Sequence, residues 1–158
     1  MKCTPHPEVP SYESVRAAVE RLEPTTTPRW GKMNVLQMMA HCSRLNRLYL
    51  GEEPVAWWVK PITRLFKGFL LRRFLETSPF EFARGVRTLP SLQVEAGDVR
   101  DSEFDRERAG LIASLERAHT ISGYWDHPLY GSIDAEVGRA LVRTHTTHHL
   151  NQFGVIAP

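Results

Sequence analysis

Apolar residues recur along this chain at the three-to-four-residue spacing of an α-helix in four separate segments, and no stretch carries convincing strand alternation. Each segment is bounded by its own stop and start signals. Ser11 to Leu22 sets Val15, Ala18, Val19 and Leu22 at helical spacing, with Ser11 and Ser14 for local capping and Pro24 as a stop. A breaker-rich linker, Thr25 to Gly31, leads to a second helix that opens at the N-cap residue Asn34 and runs to about Leu50, before Gly51. A third helix runs from Ser102 to about His119 on the stripe Phe104, Leu111, Ile112 and Leu115. The last spans about Ile133 to Phe153, with Asp134 and Glu136 at its positive end and Gly154 beyond it. These four principal helices predict an all-α fold, a four-helix bundle, in one domain over residues 1–158. The connection between helices two and three, about residues 52–100, is long, as it must be when consecutive helices run parallel instead of forming a hairpin.

That crossover is the hardest part of the chain to read. Between Ala56 and Leu75 it carries Trp57, Trp58, Phe66, Phe69 and Phe74 with five basic residues (Lys60, Arg64, Lys67, Arg72 and Arg73) and no acid. Pro61 suits the first turn of a short helix. The apolar residues lie nearly all round such a helix, which predicts burial under the crossover or in a dimer interface. A membrane-surface helix and a single-stranded nucleic-acid surface are the other readings. Thr77 to Gly97, with Pro79, Gly85, Pro90 and Gly97, reads as an ordered or extended crossover, because a structureless loop of that length is unusual in a compact domain.

Composition excludes several classes. Hydrophobic residues at 42% and charged residues at 24% rule out wholesale disorder, and a net charge of +2 gives no bulk electrostatic reason to expect nucleic acid as a partner. Two cysteines, Cys3 and Cys42, cannot build a disulfide framework and suit a reducing compartment. No apolar run reaches the length of a transmembrane segment, and the first seven residues lack the apolar core of a signal peptide. The expectation is a cytoplasmic protein.

One local excess breaks this ordinary profile: three of the seven histidines lie between positions 145 and 149. On the last helix His145 and His149 are one turn apart on one face, about 40° from each other, within the arc that Leu141 and Val142 mark as core-facing. His148 lies about 60° to the other side of His145, and Gln152 joins the cluster. Two imidazoles in His-x-x-x-His spacing can reach one metal ion, but the spacing is common by chance and needs a third ligand. His41, the one histidine of the second helix, is flanked by Leu45 and Leu48 on its buried face. A lone core histidine is more often a hydrogen-bonded structural group than a ligand. Three imidazoles in one core without an organising charge are another matter, because unpaired buried polar groups are costly. Three histidines from two antiparallel helices would hold a divalent ion and leave positions open for water or substrate, as catalytic sites do. Cys42 points about 100° away from His41 and reads as a buried structural thiol. His127 lies too far from His145 along the chain for direct ligation, which suits a turn or the mouth of a pocket.

Trp30-Gly31-Lys32-Met33-Asn34 leading into Met39-Ala40-His41-Cys42 is similar to the second-helix entry of the DinB/YfiT-like superfamily of metalloenzymes. His127-Pro128-Leu129-Tyr130-Gly131, followed by His145 to Gly154, resembles the closing segment of an uncharacterised branch of it. The resemblance implies an up-down-down-up bundle, His41, His145 and His149 as ligands of one divalent metal ion, and a homodimer. His148 would then be the best-placed general base and Gln152 a residue that orients a ligand. Imidazole donors suit zinc or nickel, with iron or manganese also compatible. The expected function is metal-dependent chemistry on a small-molecule substrate, either hydrolysis or transfer involving a low-molecular-weight thiol, the second implied by the superfamily. The alternative is a non-catalytic, metal-stabilised interaction protein whose working surface is the basic-aromatic segment 57–73.

Overall fold

The computed structural model describes residues 4–85, 90–95 and 97–158. The chain is mostly helical: α1 (Tyr12–Glu20), α2 (Val35–Tyr49), α3 (Val59–Leu65), α4 (Lys67–Leu75), α5 (Phe104–Thr120) and α6 (Ala135–Gln152). A hairpin of two short strands, β1 (Tyr124–His127) and β2 (Gly131–Asp134), precedes α6. Cys3 falls outside the described residues.

Helix starts follow the capping residues. The Ser11 hydroxyl accepts from the Ser14 amide at the start of α1. Asn34 and Gln37 form a reciprocal capping box on α2, each side chain accepting the other's backbone N–H at 2.8 and 2.9 Å. Asp134 caps α6 through the Glu136 amide. The last helix therefore begins two residues later than the apolar pattern suggests, because Ile133 belongs to β2.

Specific contacts set the relative directions of the helices. Asn46 donates to the Ser114 hydroxyl at 3.0 Å, while further along, Arg117 of α5 pairs with Glu52 just beyond the end of α2, so α2 and α5 run the same way. Gln152, at the end of α6, donates to the Trp30 carbonyl just before α2, and Trp125, just before α6, donates to the Tyr49 carbonyl at the end of α2. Helices α2 and α6 are thus antiparallel. At one end of α1 Tyr12 stacks on His119, with ring centroids 4.2 Å apart, and at the other the Leu22 carbonyl accepts from Arg108, which sets α1 antiparallel to α5. Leu22, Met38, Met39, Leu48, Leu111, Leu115, Leu141 and Leu150 fill the space between these helices. Each such side chain contributes roughly 1.5–3 kcal/mol by leaving water.

Two expectations are corrected. The link before α6 is a three-residue hairpin, with Trp125 opposite Ile133 and both buried. Gly131 closes its turn at φ +66, a conformation that disfavours residues with a Cβ. The alternation was present, but four residues per strand is too short to stand out from a turn. The basic-aromatic segment is helical, with Pro61 in the first turn of α3, yet it is not buried under the crossover. Val59, Leu71 and Leu75 are buried, whereas Trp57, Leu65 and Phe69 are 84%, 78% and 68% exposed. Among the described residues no helix is long and apolar enough to cross a membrane.

Candidate metal centre

Helix α2 presents His41 and helix α6 presents His145 and His149, and the antiparallel pairing brings them together. One ring nitrogen from each lies within 4.8 Å of the others. His41 and His149 are buried and His145 is half-buried. His41 Nε2 and His145 Nε2 are 3.3 Å apart. Two imidazole nitrogens, each about 2.0–2.1 Å from one ion in tetrahedral array, would stand about 3.3 Å apart.

The groups behind the histidines decide which nitrogen is free. His41 Nδ1 lies 2.8 Å from the Leu92 carbonyl oxygen, which can only accept, so this nitrogen carries the proton and Nε2 presents a lone pair. Gln152 does the same for His149. Its amide nitrogen donates to the Trp30 carbonyl at 2.7 Å, which turns its Oε1 towards His149 Nδ1 at 2.8 Å. His149 Nε2 is therefore also unprotonated. Carbonyl-type acceptors that fix ligand tautomers in this way are what a metal centre needs around its first ring of ligands. His145 Nδ1 is buried with no hydrogen-bond partner. Without a cation, one N–H···N contact to His41 is the best His145 can make, and three converging imidazoles stay poorly satisfied. The donor set fits a divalent ion.

Burial also keeps the imidazoles neutral. Desolvation lowers the pKa of His41, opposed by the Leu92 hydrogen bond. His145 lies well below the ordinary histidine range because of burial and its three histidine neighbours. His149 is brought down to about 3 by burial and by His41, with Gln152 opposing. Neutral imidazole is the form that binds metal.

Gly31 explains part of the local sequence. It adopts φ +86, and a Cβ there would lie 2.5 Å from the Gln152 amide nitrogen. The Trp30-Gly31 turn therefore lets the backbone approach Gln152 closely enough to hold it. Gln152→Leu removes the acceptor from His149 and is expected to weaken zinc binding about 10–100-fold while the helical circular dichroism stays unchanged. A competition titration against a chelator measures the effect, and unaltered affinity would show that Gln152 does not orient the ligand.

No family model, curated protein or solved structure matches this chain.

His148 is outside the trio. Its Nδ1 sits 3.3 Å from the Pro79 carbonyl, and its ring lies 5.1 Å from that of His149 and 5.6 Å from Phe82. The Trp30 ring is 6.2 Å from His148 and carries the Arg84 guanidinium 4.2 Å above it. Phe82 and Arg84 were missed in sequence, for they lie in a stretch without periodicity. Cys42 is buried, contacts Met38 and has its thiol pushed above the ordinary range by desolvation, which fits a structural role. His127 lies in β1 against Tyr49 and Tyr130, with Nδ1 accepting from the Leu129 amide. It borders a cleft of about 410 Å³ with Glu52, Glu53, Lys60, Arg64 and Asp126.

Proposed function

We propose that this protein binds one divalent metal ion through His41, His145 and His149 and uses it in a reaction on a small molecule. The observation that carries the reading is that acceptors outside the trio, the Leu92 carbonyl and Gln152, leave Nε2 of both His41 and His149 unprotonated beside His145. The pairwise directions of α1, α2, α5 and α6 support a four-helix bundle in up-down-down-up order, as the DinB/YfiT-like resemblance implies. A bound ion would supply Lewis acidity, either to water for hydrolysis or to a low-molecular-weight thiol for transfer.

The chain's own groups divide the remaining work. His148 donates Nδ1–H to the Pro79 carbonyl, which leaves Nε2 as a proton acceptor beside the trio. Burial lowers its pKa, opposed by the Pro79 hydrogen bond and reinforced by the Arg84 charge, so it is neutral near pH 7. Gln152 holds His149 in position, and Trp30, Phe82 and Arg84 flank His148 with apolar surface and one cation. We take zinc or nickel as the ion, two of the several that imidazole donors suit.

Elemental analysis after repletion with zinc or nickel is expected to find about one ion per chain. Absence of any stoichiometric divalent metal would overturn the proposal. Titrating the loaded protein with a small thiol separates the two reactions: saturable binding is expected for a transferase, and a hydrolase has no need of it.

A further inference from the structure

The histidine cluster carries no negative charge of its own. Its three members are neutral imidazoles, and among the described residues no Asp or Glu belongs to it. A divalent ion held there keeps its double positive charge until an anionic ligand offsets it. The charged side chains that bear on the cluster are Arg44, at His41, and Arg84, at His148. Both add to the positive field. Arg44 is answered by Asp98 at 3.5 Å and donates to the Gln93 carbonyl. Arg84 makes no ion pair with the described residues.

Arg84 is held by its face. Its guanidinium carbon sits 4.2 Å from the centre of the Trp30 ring, a cation–π contact. Stacking occupies the flat face of a guanidinium and leaves the N–H groups of its edge for a planar, two-pronged acceptor such as carboxylate or phosphate. Trp30 is itself fixed. Its carbonyl accepts from Gln152, at the close approach that Gly31 permits. The residue that positions Arg84 with its ring therefore orients His149 with its backbone, through Gln152.

Apolar surface continues from Arg84 towards the trio. The Trp30 and Phe82 rings lie 6.2 and 5.6 Å from that of His148, and Phe74 lies 5.0 Å from Phe82. The His148 ring in turn lies 5.1 Å from that of His149. Trp30, Phe74, Phe82, His145 and His148 are all half-buried, so part of each stays open to a ligand. Half-buried aromatic rings between a cation and a metal centre suit a molecule with an apolar body and an oxyanion. A neutral or cationic molecule would leave the positive field unanswered.

We infer that the molecule processed at the metal centre is an anion, whose carboxylate or phosphate group pairs with the edge of Arg84 while its apolar body lies against Trp30 and Phe82. The inference rests on the metal-dependent reading proposed above and names the substrate class of that centre. Arg84 then determines specificity and takes no part in the bond-making step.

The test uses the full chain loaded with zinc, with the metal content measured on the same sample. Calorimetric titration compares benzoate and phenylphosphonate with benzamide, which has the apolar ring and no charge. At least one of the two anions is expected to bind at least about tenfold tighter than benzamide, and the tighter of the two separates carboxylate from phosphate recognition. Arg84→Gln should keep the metal and the affinity for benzamide and lose about tenfold in anion affinity. Its circular dichroism should not change, because Arg84 is exposed. One zinc ion per chain with no preference for either anion overturns this inference and leaves the metal centre standing. Anion binding that Arg84→Gln leaves unchanged also overturns it, since coordination to zinc would then account for the affinity alone. A chain that takes up no metal overturns both readings.

Discussion

Combining His145→Ala with His149→Ala should lower the affinity for zinc by at least about three orders of magnitude, because a single imidazole, His41, remains of a three-donor site. The loss is larger than a count of ligands alone suggests. Removing His149 also leaves Gln152 Oε1 without its partner, and removing His145 opens the space opposite His41 Nε2. A chelator-competed titration reads the affinity, and circular dichroism read in parallel decides what kind of site it is. The hydrophobic core is built from apolar side chains outside the trio, so helical content should survive in a site built for chemistry. Simultaneous loss of metal and of helical structure would mark a structural site and favour the non-catalytic alternative. Undiminished affinity would show that the three histidines are not the ligands. His148→Ala is the matching control, expected to keep the metal and lose turnover, since His148 lies beside the trio without belonging to it.

Replacing Trp125 with alanine should cost about 3–5 kcal/mol of folding stability, the range for emptying a buried aromatic site. Trp125 is 4% exposed and its indole nitrogen donates to the Tyr49 carbonyl at 3.2 Å, which ties the hairpin to the end of α2. Its ring lies so close to Gly138 that a Cβ there would come within 2.2 Å of it, so α6 offers a flat patch made for this one side chain. Alanine leaves a cavity between two helices and an unpaired carbonyl. In a chain of this size the melting temperature should fall by roughly 10 °C. Trp57→Ala, on a side chain 84% exposed, should move stability by less than about 0.5 kcal/mol. A melting temperature for Trp125→Ala within a degree or two of the parent's would show that the hairpin does not brace α2 against α6.

Much of the candidate centre was legible in the sequence because helical periodicity is local. The apolar arcs around His41, His145 and His149 mark all three as core-facing, and the structure brings all three within ligand distance. Gln152 stood out for the same reason, one turn beyond the histidine pair. The capping residues Ser11, Asn34 and Asp134 likewise announce helix starts through short-range hydrogen bonds. The hairpin was not legible, since four-residue strands carry too little alternation to distinguish them from the turn between them. Nor were Phe82 and Arg84, whose closeness to Trp30 and His148 follows from the crossover's path and from no repeat in the chain.

The sequence alone determined which segments form helices and which way each helix turns its histidines, because both depend on residues within one or two turns. The tertiary structure decided everything that joins distant segments. It put the Leu92 carbonyl 51 residues away from His41 behind its Nδ1, and the Trp30 carbonyl behind Gln152 across 122 residues. Those contacts turn a group of core histidines into a set of aligned lone pairs. Tertiary structure also left the Trp58–Phe69 stripe facing outward. An apolar stripe records only that a helix has an apolar side. Whether that side meets the core or the solvent depends on which neighbouring surface is there to cover it.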